Sequence, residues 1–350
     1  MLGYRENYFR AGALIVDGGT KAKQKLLQHY LTRKNMTLQT FIEVNQHEIY
    51  HLYSEKCCQC SGKHPTAKVL KAKQMEIIFA KNCKRCKIGK GQSGDPFCCS
   101  TSKIGVRIED FDITLLHSIL VNICIQLFWD CALRFQGKTF QQFLVENQHS
   151  VYHLRKINTS NCCLKSCKRP STKGMLTEIQ WLTLYHIDTK SSSCKTGQTC
   201  FCSYSVNTSL VENQLEKATA MTLQKNFCRL RLAVDNLVNH RNTWAHYTEC
   251  QMSDLDLNIL WTEVEDDILF ISGYISKECE TLAKEEIDLL KTVPLESTPL
   301  SHLLTLLDEK TTVHTSNSLC TTDLVCGRQK RTVKSADTVN SCLSQHFYGL

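Results

Sequence analysis

The sequence lacks an apolar leader. Met1 to Val16 carries Arg5, Glu6 and Arg10 before any hydrophobic run, so a secretory signal is not expected and a cytoplasmic chain is. It also lacks a convincing membrane span. Residues 113–129 are uncharged over 17 positions, but His117, Ser118, Asn122 and Gln126 interrupt them and no basic flank orients them. A helix buried in a bundle is the better expectation, and no membrane partner is foreseen. Nor is charge of one sign concentrated: 42 Lys and Arg against 34 Asp and Glu leave +8, spread over 350 residues. That permits an RNA partner without demanding one.

What abounds is cysteine, at 21 residues. In a chain that is not exported, disulfides are unlikely to persist and metal thiolates account better for clustered cysteines. The odd count leaves at least one outside any intramolecular disulfide scheme. Three glycosylation triplets, at Asn35, Asn158 and Asn207, are what favours the opposing picture of a secreted, disulfide-rich binding protein. Such triplets arise easily by chance.

The cysteines follow an internal repeat. Thr37 to Leu52 aligns without gaps to Thr139 to Leu154, with nine of sixteen positions identical. Each copy enters a Cys-rich segment, Cys57-Cys58-Gln59-Cys60 in the first and Cys162-Cys163 with Cys167 in the second. Each continues through a matching strip, Leu70 with Gln74-Met75 against Leu176 with Gln180-Trp181. Asn122-x-Cys124 is echoed by Asn226-x-Cys228. The repeat therefore divides the chain into a first unit, 1–126, and a second, 127–292. Residues 293–350 are Ser/Thr-rich with short apolar patches and read as a largely disordered tail.

Zinc wants four thiolate or imidazole ligands in a tetrahedron. Matching the copies selects His51, Cys58, Cys60 and Cys99 in the first, and His153, Cys163, Cys167 and Cys202 in the second. Cys83, Cys86, Cys194 and Cys200 are extra or alternative ligands. His47 and His149 sit one helical turn before the selected histidines and are assigned to an ordinary polar face. Cys124, Cys131, Cys228, Cys250 and Cys279 read as small buried apolar side chains. Closed sites of this kind would be structural.

One stretch suggests chemistry. Ala233, Val234, Leu237 and Val238 give a helix an apolar face, and His240, Arg241 and Asn242 follow as a polar block, with His246 beyond. On an unbroken helix Arg241 and His246 would point about 140° apart. The spacing predicts a helix end between Trp244 and Tyr247, then a new helix capped by Ser253 with Asp256 three residues on. A last helix is expected from about Ser276 to Lys291, and Glu263, Glu265, Asp266 and Asp267 should give the helix before it an acidic outer face.

The Arg241-Asn242-x-x-x-His246 block, with the capped run from Met252 through Trp261 and Val264, resembles the Arg-x(4 to 6)-His motif of the HEPN superfamily. It is most similar to the branch found in the DAZ-interacting zinc-finger ubiquitin ligases and their invertebrate relatives. Asn7-Tyr8-Phe9-Arg10 to Asp17-Gly18-Gly19-Thr20 resembles the opening helix of that branch. The resemblance implies a mainly α fold, a HEPN-like helical bundle carrying the two Cys-rich, zinc-binding modules. The Arg-x(4 to 6)-His helix follows only the second copy and the opening helix precedes only the first. One bundle assembled from parts of both, with one site per chain, is an economical outcome. In function the resemblance implies an RNA- or protein-binding scaffold, commonly a homodimer, with a role in stress or innate defence. The alternative is a metal-independent endoribonuclease in which His246 moves protons, Arg241 holds the phosphate and Asn242 orients it. Cys320, Cys326 and Cys342 are too few for a RING, so ligase activity is not expected.

Overall fold

Apolar residues recurring every three to four positions build a mainly helical chain. The computed structural model describes residues 2–58, 60, 68–81, 95–155, 175–188, 200–247 and 250–292. Cys83, Cys86, Cys163, Cys167, Cys194 and the tail from 293 lie outside the described residues. In chain order the helices are α1 (Leu2–Ala13), α2 (Gly19–Arg33), α3 (Leu38–Val44), α4 (Gln46–His51), α5 (Ala72–Ile78), α6 (Ile113–Ile123) and α7 (Ile125–Trp129). They continue with α8 (Phe140–Tyr152), α9 (Glu178–Leu184), α10 (Lys217–Phe227), α11 (Arg229–Ala245), α12 (Asp254–Ile275) and α13 (Lys277–Thr292). Among the described residues the one sheet is a two-stranded antiparallel ribbon, β1 (Tyr185–Ile187) on β2 (Tyr204–Val206), with Tyr185 opposite Val206.

The chain forms two compact units, one from Met1–Ser118 with Asp235–Leu350, the other from Ile119–Val234. This division differs from the repeat boundary at 126/127, because α12 packs on α1 and α2 as well as on α13. The first unit thus gathers both the opening helix and the closing ones. There, α1 passes into α2 through one wide π-helical turn, Leu14–Gly18. Small residues at its end let neighbours approach: a Cβ on Gly18 would lie 3.2 Å from Ile268 Cδ1, and one on Gly19 3.2 Å from Ile113 Cδ1. In the second unit, Trp129 is buried against the edges of Phe140 and Phe143, and Trp181 stacks on Tyr185 at 4.2 Å.

The run 113–129 is two helices rather than one. It breaks at Cys124 (φ −89°, ψ 39°), and the pair Ile113–Ile123 and Ile125–Arg134 is bent by 77°. Among the described residues no single helix is long and apolar enough to cross a membrane. Cys228, the counterpart of Cys124 in the sequence alignment, also stands at a break, between α10 and α11, with a more extended backbone (φ −108°, ψ 114°).

The aligned stretches also make matching hydrogen bonds. Thr37 caps α3 by accepting from the Thr40 N–H, and Thr139 caps α8 by accepting from that of Gln142. The Asn45 amide donates to Phe41 O and the Asn147 amide to Phe143 O, both at 2.8 Å. Leu70 N–H reaches Leu52 O at 3.0 Å, and Leu176 N–H reaches Leu154 O at 2.8 Å. Gln46 donates to Phe97 O and Gln148 to Phe201 O, at 3.4 and 3.2 Å. These last bonds set Cys98 opposite Cys202, one residue from the expected match of Cys99 with Cys202.

Candidate functional site

The polar block lies where the first unit closes on itself. Helix α11 ends at Ala245, within the expected window, and the His246 and Tyr247 amides bond back three residues to Thr243 O and Trp244 O, at 3.1 and 3.2 Å. Ser253 then caps α12: its Oγ accepts from the Asp256 N–H at 3.1 Å and its hydroxyl donates to Asp256 Oδ2 at 2.7 Å. Helix α1 holds both ends of this connection. The Trp244 indole stacks on Tyr8 at 4.8 Å and 21°, and its N–H donates to Tyr8 O at 2.8 Å. Gly12 makes room for it, since a Cβ there would lie 2.4 Å from the ring. The Met252 amide donates to Tyr4 O at 2.9 Å, and the Asn7 amide to Asp254 Oδ1 at 2.6 Å. The two stretches that resemble HEPN sequence therefore pack on each other.

Arg241 and Asn242 are half-buried and His246 is exposed. A turn closed over three residues advances about 120° per residue against 100° in an α-helix. It therefore does not rotate His246 back over Arg241, and among the described residues no hydrogen bond or ion pair joins the two side chains.

Beneath Arg241 runs a polar seam that the sequence reading missed. Lys23 of α2 is fully buried and its Nζ has no hydrogen-bond partner among the described residues. Burial pushes its ammonium down to about 7; Asp235, Asp112 and Asp267 oppose this and Arg241 adds to it. Lys71 is also pushed down, first by burial and then by the charges of Arg241 and Lys73. His117 Nε2 pairs with Asp235 Oδ1 at 2.8 Å. His240 lies between Glu263, 3.8 Å from its Nδ1, and Asp267, 3.7 Å from its Nε2. The acidic outer face of α12 is real for Glu263 and Asp266, but Asp267 is 2% exposed and turned inward. The usable signal for Lys23 was its place between Gly19 and Leu26-Leu27, on the buried face of α2.

The cysteines of the first repeat gather into two donor groups. His47, His51, Cys57 and Cys60 bring one ligand atom each to within 4.8 Å of one another, and together could hold a metal ion. Cys60 Sγ is 3.5 Å from the Nε2 of both histidines, and Cys57 Sγ is 3.8 Å from His47 Nδ1. His51 Nδ1 faces Ser54 O at 3.0 Å, which fixes the ring and leaves Nε2 for a ligand, the usual arrangement of a metal-binding histidine. The other group is Cys58, Cys98 and Cys99.

The expected set His51, Cys58, Cys60 and Cys99 is thus split between two groups, and His47, expected on an ordinary polar face, lies in the first of them. Cys57 and Cys58, adjacent in the chain, belong to different groups. In the second repeat, His149 and His153 repeat the geometry of His47 and His51. The ring centroids are 4.7 and 4.6 Å apart at 90° and 82°, and the Nε2 atoms of His149 and His153 are 3.1 Å apart. Cys202 is half-buried, while Cys163 and Cys167 are not among the described residues. Cys124, Cys131 and Cys228 are buried, as expected of apolar packing, whereas Cys250 and Cys279 are only half-buried.

No family model matches the chain, and neither does any curated protein or solved structure.

Proposed function

We propose that this chain is a HEPN-type scaffold that binds RNA through the end of α11, with zinc holding its Cys-rich modules. The observation that carries this reading is the placement of Arg241. It is half-buried at a closed helix end, close enough to Lys23 and Lys71 for its charge to weaken both ammonium groups. Burial is the larger cause in both, and Asp235, Asp112 and Asp267 offset Arg241 at Lys23, so the phosphate contact is assigned to Arg241 itself, whose planar guanidinium suits a phosphate better than an amine does. The packing of α1 on the Trp244 to Asp254 connection supports the HEPN resemblance, because it joins the two stretches that carry it. Zinc is the metal whose tetrahedral preference and N/S chemistry best suit His47, His51, Cys57 and Cys60. The matching His149–His153 pair supports a similar site in the second repeat.

A second reading, RNA cleavage, is favoured by the exposure of His246 at the helix end, where its ring is open to a bound strand. The test for both is single-stranded RNA of mixed sequence incubated with folded, metal-loaded protein. Binding weakened by Arg241→Ala, with RNA left intact, supports the scaffold. Product ends carrying 2′,3′-cyclic phosphate, lost in both Arg241→Ala and His246→Ala, would make the chain a nuclease. No binding by the folded wild type would leave a protein partner as the remaining HEPN-like role.

A further inference from the structure

We infer that the first Cys-rich segment holds two metal ions, the second bound by the thiolates of Cys58, Cys98 and Cys99. This stands apart from the RNA reading and from the His47 group, with which it shares no ligand. The three Sγ atoms lie within 4.8 Å of one another although Cys58 is distant in sequence from the other two. Two adjacent residues, Cys98 and Cys99, can offer sulfur to one point only if the backbone turns sharply between them. It does: Cys99 sits at φ 55°, a left-handed conformation that few side chains adopt.

The turn is held from both sides. Asp95 Oδ1 accepts the Phe97 N–H at 3.0 Å, and Ser100 N–H donates to Phe97 O at 3.2 Å. Beyond it, Ala80 N–H donates to Thr101 O at 3.1 Å and Lys103 N–H to Ile78 O at 2.8 Å, fastening the segment to the end of α5. The Cys58 amide N–H donates to Cys98 Sγ at 3.4 Å, joining the two halves of the group.

Three thiolates select a soft, thiophilic cation such as Zn²⁺, Cd²⁺ or Cu⁺ over Mg²⁺ or Ca²⁺. Each thiol gives up its proton to solvent as its metal–sulfur bond forms, so uptake strengthens as pH rises. Cys58 and Cys99 sulfurs are 2.7 Å apart. Two ligands of one zinc tetrahedron stand about 3.8 Å apart, given Zn–S bonds near 2.3 Å. Loading must therefore open this pair by about 1 Å.

The test uses the full chain loaded with ¹¹³Cd²⁺ and read by cadmium NMR. The expected spectrum contains a resonance in the thiolate-rich range that disappears in Cys98→Ser, while the signal lost in His47→Ala is retained. Loss of only the His47-dependent signal would leave the metal reading of that group intact and overturn this one. Because Cys98 is buried and its replacement could unfold the segment, the wild-type chain provides a second reading. Cys58 and Cys99 should react with a maleimide at least tenfold faster once a chelator has removed the metal. Equal rates with and without chelator, or a Cys58–Cys99 disulfide in the peptide map of the purified protein, would overturn the proposal.

Discussion

Gly12 and Lys23 show how much of this bundle depends on single residues. A methyl group on Gly12 would collide with the Trp244 ring, which cannot retreat without leaving Tyr8. Gly12→Ala should therefore cost about 1–3 kcal/mol, the usual penalty of overpacking. Gly3→Ala, where a Cβ meets nothing within 4 Å, is the control, and thermal melting compares the two. Lys23 gives a pH signature. Its ammonium titrates at about 7 in the fold against an ordinary 10.5, so between those values the unfolded chain holds a proton that the folded chain has released. Stability should rise with pH across that window, with the cost of burying the charge fully present below it. Urea midpoints measured from pH 6 to 10 should show the rise in wild type and a weaker one in Lys23→Met. Parallel curves would mean that Lys23 keeps its proton in the fold. Gly12 was not legible in the sequence, and for Lys23 only its position on the apolar face of α2 was. Gly12 looks like any helical glycine, and a lysine on an apolar face is usually read as reaching out to water.

At the scale of elements, boundaries with local chemical causes were legible. The end of α11, the Ser253 cap and the last helix, expected from about Ser276 and found at Lys277–Thr292, all follow from side chains near the boundary. Ser253→Ala should lower stability by about 1 kcal/mol, typical of a lost N-cap, with Thr139→Ala as the equivalent in the second unit. Breaks set by distant packing were not legible. Nothing local to the run 113–129 marks Cys124 as its corner, and only the echo at Cys228 hints at it. The His47 group belongs to this scale too, since a metal ion held there would tie α4 to the chain after it. His47→Ala should remove one bound ion and speed amide exchange through Gln46–His51, read by native mass spectrometry and hydrogen exchange. An unchanged metal count would exclude His47 as a ligand. Its i, i+4 spacing from His51 fits a solvated helix face as well as a ligand pair, so sequence could not separate the two.

Across the whole molecule, the duplication was legible in sixteen aligned residues, and several of their hydrogen bonds recur in both copies. What alignment did not reveal is that packing ignores the repeat boundary. Helices far apart in the chain, α1 with α12 and α13, meet in the unit that carries Arg241. In that unit Arg241 stands half-buried in the last turn of α11, and its guanidinium makes a phosphate-bearing polymer the ligand class to test. The most direct measurement is fluorescence anisotropy of a labelled single-stranded RNA titrated with the folded chain at several salt concentrations. The account predicts saturable binding that weakens with salt and, in Arg241→Ala, a log–log slope shallower by about 0.7, one phosphate contact fewer. Equal affinity and equal slope in wild type and Arg241→Ala would contradict it.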